Sequence, residues 1–80
     1  MAAREQFDTR EAARIVGLPP RRLRRCVQAG LVVPRRDDRG RLRFDFLDLI
    51  LLRTTRALLE QRVPLARISR VLRSLRRQIG

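Results

Sequence analysis

The stretch richest in chemistry is Pro20-Arg21-Arg22-Leu23-Arg24-Arg25-Cys26-Val27-Gln28-Ala29-Gly30. Arginine donates a planar fork of hydrogen bonds that matches phosphate oxygens and the edge of guanine, and glutamine adds a carboxamide. Pro20 stands where the first turn of a helix favours proline. Gly30 is placed to stop that helix in a left-handed conformation, which a residue without Cβ adopts freely. At roughly 100° per residue, Leu23, Cys26 and Val27 fall together on one side. Arg21, Arg25 and Gln28 fall on the other, with Arg22 and Arg24 on the flanks. A short, capped helix that is basic on one side fits the major groove of DNA. A second basic set follows, where Arg41 and Arg43 alternate with Leu42 and Phe44.

Composition narrows the chemistry further. The 80 residues include 20 arginines, no lysine and 8 acidic residues, for a formal charge of +12. Such a charge predicts a polyanionic partner. With no histidine and one cysteine, an internal disulfide, a zinc site built from His and Cys, and Ser-His or Cys-His catalysis are all excluded. The expectation is a non-enzyme with no catalytic, metal or cofactor residues. The start of the chain lacks the apolar core of a signal peptide, and no apolar run approaches the roughly 18 residues of a membrane span. A soluble cytosolic protein that contacts no membrane is expected, and a chain stopping on a basic amphipathic helix suits a fragment of something longer.

The elements that must position these side chains are legible in order. Residues 1–5 read as a disordered tail. Phe7-Asp8-Thr9-Arg10-Glu11 reads as a helix start, with Asp8 as N-cap, Glu11 as its reciprocal partner, and Phe7 with Ala12 at the positions of a hydrophobic staple. That first helix runs to about Val16 with Ala12, Ile15 and Val16 inward, and Gly17 closes it. Two short helices across a tight glycine turn make a helix-turn-helix over about residues 8–30. Asp37-Asp38-Arg39-Gly40 is a turn signal, so residues 33–44 read as a short hairpin with Leu42 and Phe44 on the core and Arg41 and Arg43 in solvent. This hairpin would be the wing of a winged helix-turn-helix. A helix over about 45–61 opens on Asp45 with Asp48 in capping-box spacing, and its apolar residues cover more than one face. Val63-Pro64 breaks the chain before a last helix over about 64–79. There Leu65, Ile68, Leu72, Leu75 and Ile79 repeat at three and four, which reads as core packing rather than a dimer seam. Arg67, Arg70, Arg73, Arg76 and Arg77 would form its solvated face. Leu23, Cys26, Leu42, Phe44, Ile50 and Ile68 are the expected core. The fold class is mainly α with a short β-hairpin wing and about four helices.

Several residues carry a family resemblance in order. They are Glu11-Ala12-Ala13 and Gly17, Pro20-Arg21 with Leu23-Arg24, Gly30-Leu31 with Pro34, then Gly40, Phe44, Asp48-Leu49, and Val63-Pro64-Leu65 leading to Ile68. From Phe7 to about Leu72 the chain resembles the N-terminal DNA-binding domain of the MerR family of bacterial transcription regulators. The resemblance implies a winged helix-turn-helix over residues 6–80, a bacterial cytoplasmic and nucleoid location, and dimeric regulators that distort their operators. It also implies that Arg24 contacts the DNA backbone. Two departures stand out. The family's Leu-Arg-Tyr-Tyr-Glu stretch is Leu23-Arg24-Arg25-Cys26-Val27 here, and its wing arginine falls at Leu42, between Arg41 and Arg43. The family's long dimerisation helix lies beyond residue 80 or is absent, so this chain is expected to be monomeric or weakly associating.

The site expected from sequence is therefore Arg21, Arg22, Arg24, Arg25, Gln28, Arg41 and Arg43, binding double-stranded DNA sequence-specifically for transcription regulation. Arg10 and Arg14 are weaker candidates, and Cys26 reads as a small buried hydrophobe. The rivals are an excisionase-like architectural DNA-binding factor and a helical protein-interaction module over residues 45–79. An arginine-rich RNA binder is a third, but the chain has three Phe and neither Tyr nor Trp to stack on unpaired bases.

Overall fold

The computed structural model of the chain describes residues 5–79. The tail expected over residues 1–5 lies outside the described residues except for Glu5, as do Gly80 and the side chains of Arg76 and Ile79. The elements run α1 (Thr9–Val16), α2 (Pro20–Gln28), β1 (Arg35–Arg36), β2 (Leu42–Arg43), α3 (Phe46–Glu60) and α4 (Leu65–Ile79).

Local chemistry sets the helix ends. At α1 the Asp8 carboxylate accepts from the Glu11 amide at 2.8 Å, and the Glu11 carboxylate accepts from the Asp8 amide at 3.1 Å. The same reciprocal box forms at α3 between Asp45 and Asp48. Each satisfies backbone donors that the first helical turn leaves without partners. Gly17 takes φ +85° and lets the Leu18 amide reach back to the Ala13 carbonyl, which reverses the chain in three residues. At the end of α2, Gly30 at φ +82° allows the Leu31 amide to bond the Cys26 carbonyl and its own amide to bond that of Val27. The end of α3 is built the same way without a glycine. Arg62 takes φ 63°, with its amide on Leu59 and the Val63 amide on Leu58.

The helices α1, α2 and α3 pack around a core in which Val16, Leu23, Leu31, Phe44 and Leu52 are fully buried. Cys26 and Ile68 are buried as well. Phe44 is held by its backbone too. It exchanges a pair of 2.8 Å hydrogen bonds with Phe7, an isolated antiparallel bridge that ties the segment before α1 to the residue following β2. Long-range side-chain bonds fix the helices at their ends. Arg56 on α3 donates to the Val16 carbonyl at 3.2 Å, and the buried Ser69 hydroxyl on α4 donates to the Ala29 carbonyl. The remaining buried hydroxyl, Thr55, donates to Leu51 at 2.9 Å.

Four expectations of burial need correction. Ile15 is 45% exposed, because α1 presents Ala12, Ala13 and Val16 inward and Ile15 lies a quarter-turn and more from that stripe. Ile50 is 44% exposed, because α3 buries Leu49, Leu52 and Thr55, and Ile50 shares the opposite face with Phe46. Leu42 is half-buried rather than buried, since the strand containing it is two residues long. On α4, Ile68 is core and Leu65 and Leu72 pack against it, but Leu75 is 47% exposed where the helix outruns the body.

Candidate nucleic-acid interface

The anchoring of α2 dictates what it presents. With Leu23 and Cys26 buried and Val27 half-buried, the helix is fixed in rotation, and Arg21, Arg22, Arg24, Arg25 and Gln28 all stand exposed. Arg21, Arg25 and Gln28 lie one and two turns apart on the side away from the core, in keeping with the helical period. Arg22 and Arg25 also border a groove of about 290 Å³ whose other walls are Cys26, Leu59 and Leu65. The Cys26 thiol is raised in pKa by burial, with the Arg22 charge pulling the other way, so it stays protonated at neutral pH and behaves as a small apolar group.

The wing is organised by one carboxylate. Asp37 Oδ1 accepts from the amides of Arg39 and Arg41, both at 2.9 Å, and so ties the turn Asp37–Gly40 together. Its Oδ2 faces the Arg43 Nε at 3.3 Å and the Arg41 Nε at 3.5 Å. The Arg41 amide bond lowers the Asp37 pKa most, helped by Arg39 and by the charges of Arg41 and Arg43, while partial desolvation opposes them. Arg41 and Arg43 are thus brought together, but on opposite terms. Arg41 keeps most of its side chain in water, whereas Arg43 lies half-buried over Asp37, which corrects its expected place in solvent.

Sequence reasoning passed over Arg35 and Arg36. Both are exposed on β1, which pairs antiparallel with β2 in the register Arg35 with Arg43 and Arg36 with Leu42. Arg36 also donates from Nη1 to the Gly40 carbonyl at 2.7 Å and braces the turn. The signal was present in the run Arg35-Arg36 directly ahead of Asp37-Asp38. Arg10 and Arg14 on α1 are exposed. Among the described residues no cluster of three or more His, Cys, Asp or Glu is placed to hold a metal, and no helix is long and apolar enough to cross a membrane.

A two-helix unit with a glycine turn, a hairpin beside it and two supporting helices define a winged helix-turn-helix protein. The sequence model of the MerR HTH family of regulatory proteins matches residues 7–75, and the chain belongs to that family. A solved structure similar to it is the crystal structure of HiNmlR, a MerR family regulator lacking the sensor domain, bound to promoter DNA. The two agree with a TM-score of 0.81 at 28% sequence identity, over 89% of this chain and 55% of the other, so this chain spans little more than half the length of that regulator. No curated protein sequence matches the chain.

Proposed function

We propose that this chain binds double-stranded DNA sequence-specifically as the DNA-binding domain of a bacterial, cytoplasmic and nucleoid-associated transcription regulator. In this reading residues 6–80 act as one unit, and α2 lies in the major groove with Arg21, Arg25 and Gln28 toward base edges. Arg22 and Arg24 flank it on the phosphates, and the wing adds Arg41 and Arg43 to the adjacent backbone. The observation that carries the reading is the exposed, carboxylate-free face of α2, set back to back with the buried Leu23 and Cys26. The likeness to a promoter-bound regulator supports the same reading. Asp37 faces both wing arginines, and Arg43 contributes less than Arg41 because its side chain is half-buried while that of Arg41 stands mostly in water. The reading assigns no catalytic role to any residue, and the chain acts as a monomer or weak associator with modest affinity for one half-site.

Affinity selection on random duplex DNA tests this directly. A consensus about one half-site long is expected, and flat, non-specific binding would instead favour an excisionase-like architectural role. The affinity should fall with salt with a slope of about 0.9 per phosphate contacted. A nearly flat salt dependence would remove the DNA-binding reading.

A further inference from the structure

A second concavity lies away from the face assigned to DNA. It is a cleft of about 860 Å³ between the end of α2 and the length of α4. Its floor is apolar and small, made by Ala29, Leu65 and Ala66, and its rim carries Arg70, Arg73 and Arg77. These three lie along one side of α4 at the spacing i, i+3, i+7, with guanidiniums that repel one another. No acidic residue occurs after Glu60 in the sequence to offset them. Phosphates of DNA need no apolar floor. An anion with a hydrocarbon or aromatic body does, and the open cleft gives such a body an apolar surface to lie along beside the guanidiniums.

The cleft is also wired to the reading helix. Arg73 donates from Nη2 to the Ser69 hydroxyl oxygen at 3.1 Å, and that buried hydroxyl donates to the carbonyl of Ala29, the residue that caps α2. A ligand that draws the Arg73 guanidinium into the cleft therefore changes the partner of the group that pins the end of α2. We propose that this cleft is an effector site for an amphipathic organic anion, a carboxylate or phosphate on an apolar body, and that its occupancy changes DNA affinity through Arg73, Ser69 and Ala29. The binding half of the proposal stands without the DNA reading; the coupling half rests on it.

The test titrates the full chain with octyl phosphate below its aggregation threshold, following backbone amide shifts by NMR. Inorganic phosphate and octanol serve as matched controls for charge and for body. Saturable shifts centred on Ala29, Ala66 and Ser69 are expected with octyl phosphate, and far weaker binding with either control. Arg70→Gln and Arg77→Gln should each weaken it by about tenfold or more, the loss expected for one charge-assisted hydrogen bond, while Arg21→Gln should not. Equal binding of inorganic phosphate, or shifts spread over α2 and the wing, would overturn the site. So would displacement of octyl phosphate by duplex DNA in the Arg73→Gln variant, where no coupling should remain, since the cleft would then be one more phosphate contact. For the coupling, saturating octyl phosphate should change half-site affinity severalfold in the parent, and by linkage DNA should change octyl phosphate affinity by the same factor. In Arg73→Gln that factor should collapse to one while binding at the cleft persists. A parent whose DNA affinity ignores a filled cleft would refute the coupling and leave the site and the DNA reading intact.

Discussion

Replacing Gly17 with alanine should damage this fold by two separable routes. The backbone there sits at φ +85°, a conformation that costs an L-residue about 1–2 kcal/mol. An added Cβ would also come within 2.7 Å of the Arg56 Nη1, closer than such atoms stand, and within a tight 3.1 Å of its Cζ. Arg56 is long and can swing away, so the clash itself is cheap. What the swing forfeits is its hydrogen bond to the Val16 carbonyl at 3.2 Å, about 1 kcal/mol for a bond of this kind. Together the two routes amount to about 2–3 kcal/mol, against a stability of about 4–12 kcal/mol for a domain of this length. At about 4–8 °C per kcal/mol, the melting temperature should fall by about 10–20 °C. Thermal denaturation followed by circular dichroism measures this. Gly30→Ala is the internal control, because Gly30 has φ +82° but its added Cβ would meet only Arg73, at an ordinary 3.8 Å. It should lose the backbone part alone, about 1–2 kcal/mol. In an Arg56→Ala background the Gly17→Ala cost should drop to that same value. If Gly17→Ala costs as much with Arg56 absent as with it present, the bond from α3 to the end of α1 contributes nothing, and the account of the turn is wrong.

Three further outcomes follow from the same geometry. Phe44→Ala should cost about 3–5 kcal/mol, because the ring is fully buried and its removal leaves a cavity under the wing; an unchanged melting temperature would mean that the wing does not pack on the core. Arg62→Gly should stabilise the chain by about 1 kcal/mol, since it relieves a left-handed arginine at the end of α3, and chemical denaturation would expose the error if the midpoint fell. Asp37 has its pKa lowered in the folded chain, so its contribution is fully present above the usual carboxylate range and is lost as pH falls through the lowered value. The amide signals of Arg39 and Arg41 should therefore shift together in acid, and Asp37→Asn should abolish that transition while leaving α2 unmoved; a transition that survives the substitution belongs to another carboxylate.

How much of this was legible depended on the range of the interaction that decides each feature. Both capping boxes and the turns at Gly17 and Gly30 are settled within a few residues, and the types and spacing of those residues were enough. The pairing of Phe7 with Phe44 joins positions far apart in sequence and runs through backbone atoms, so no side-chain pattern announces it, and Phe7 read as a staple residue instead. The end of α3 was hidden because an arginine occupies the left-handed position where glycine would have signalled it. Periodicity placed Ile50 on an apolar face of α3 but could not say which of two apolar faces the rest of a small domain would cover. Only the Leu49, Leu52 and Thr55 face found partners, which left Phe46, Leu47 and Ile50 exposed. The arginines show the same limit. Helical spacing identified the exposed face of α2, because Leu23 and Cys26 fix its rotation from within the helix itself. Strand alternation gave Arg41 and Arg43 equal standing; in the fold both face Asp37 across the turn, and only the packing around the hairpin, which half-buries Arg43 and leaves Arg41 mostly in water, separates them. The cleft on α4 was invisible for a related reason. Its arginines read as a solvated face, and they become a site only when the end of α2 is brought beside them.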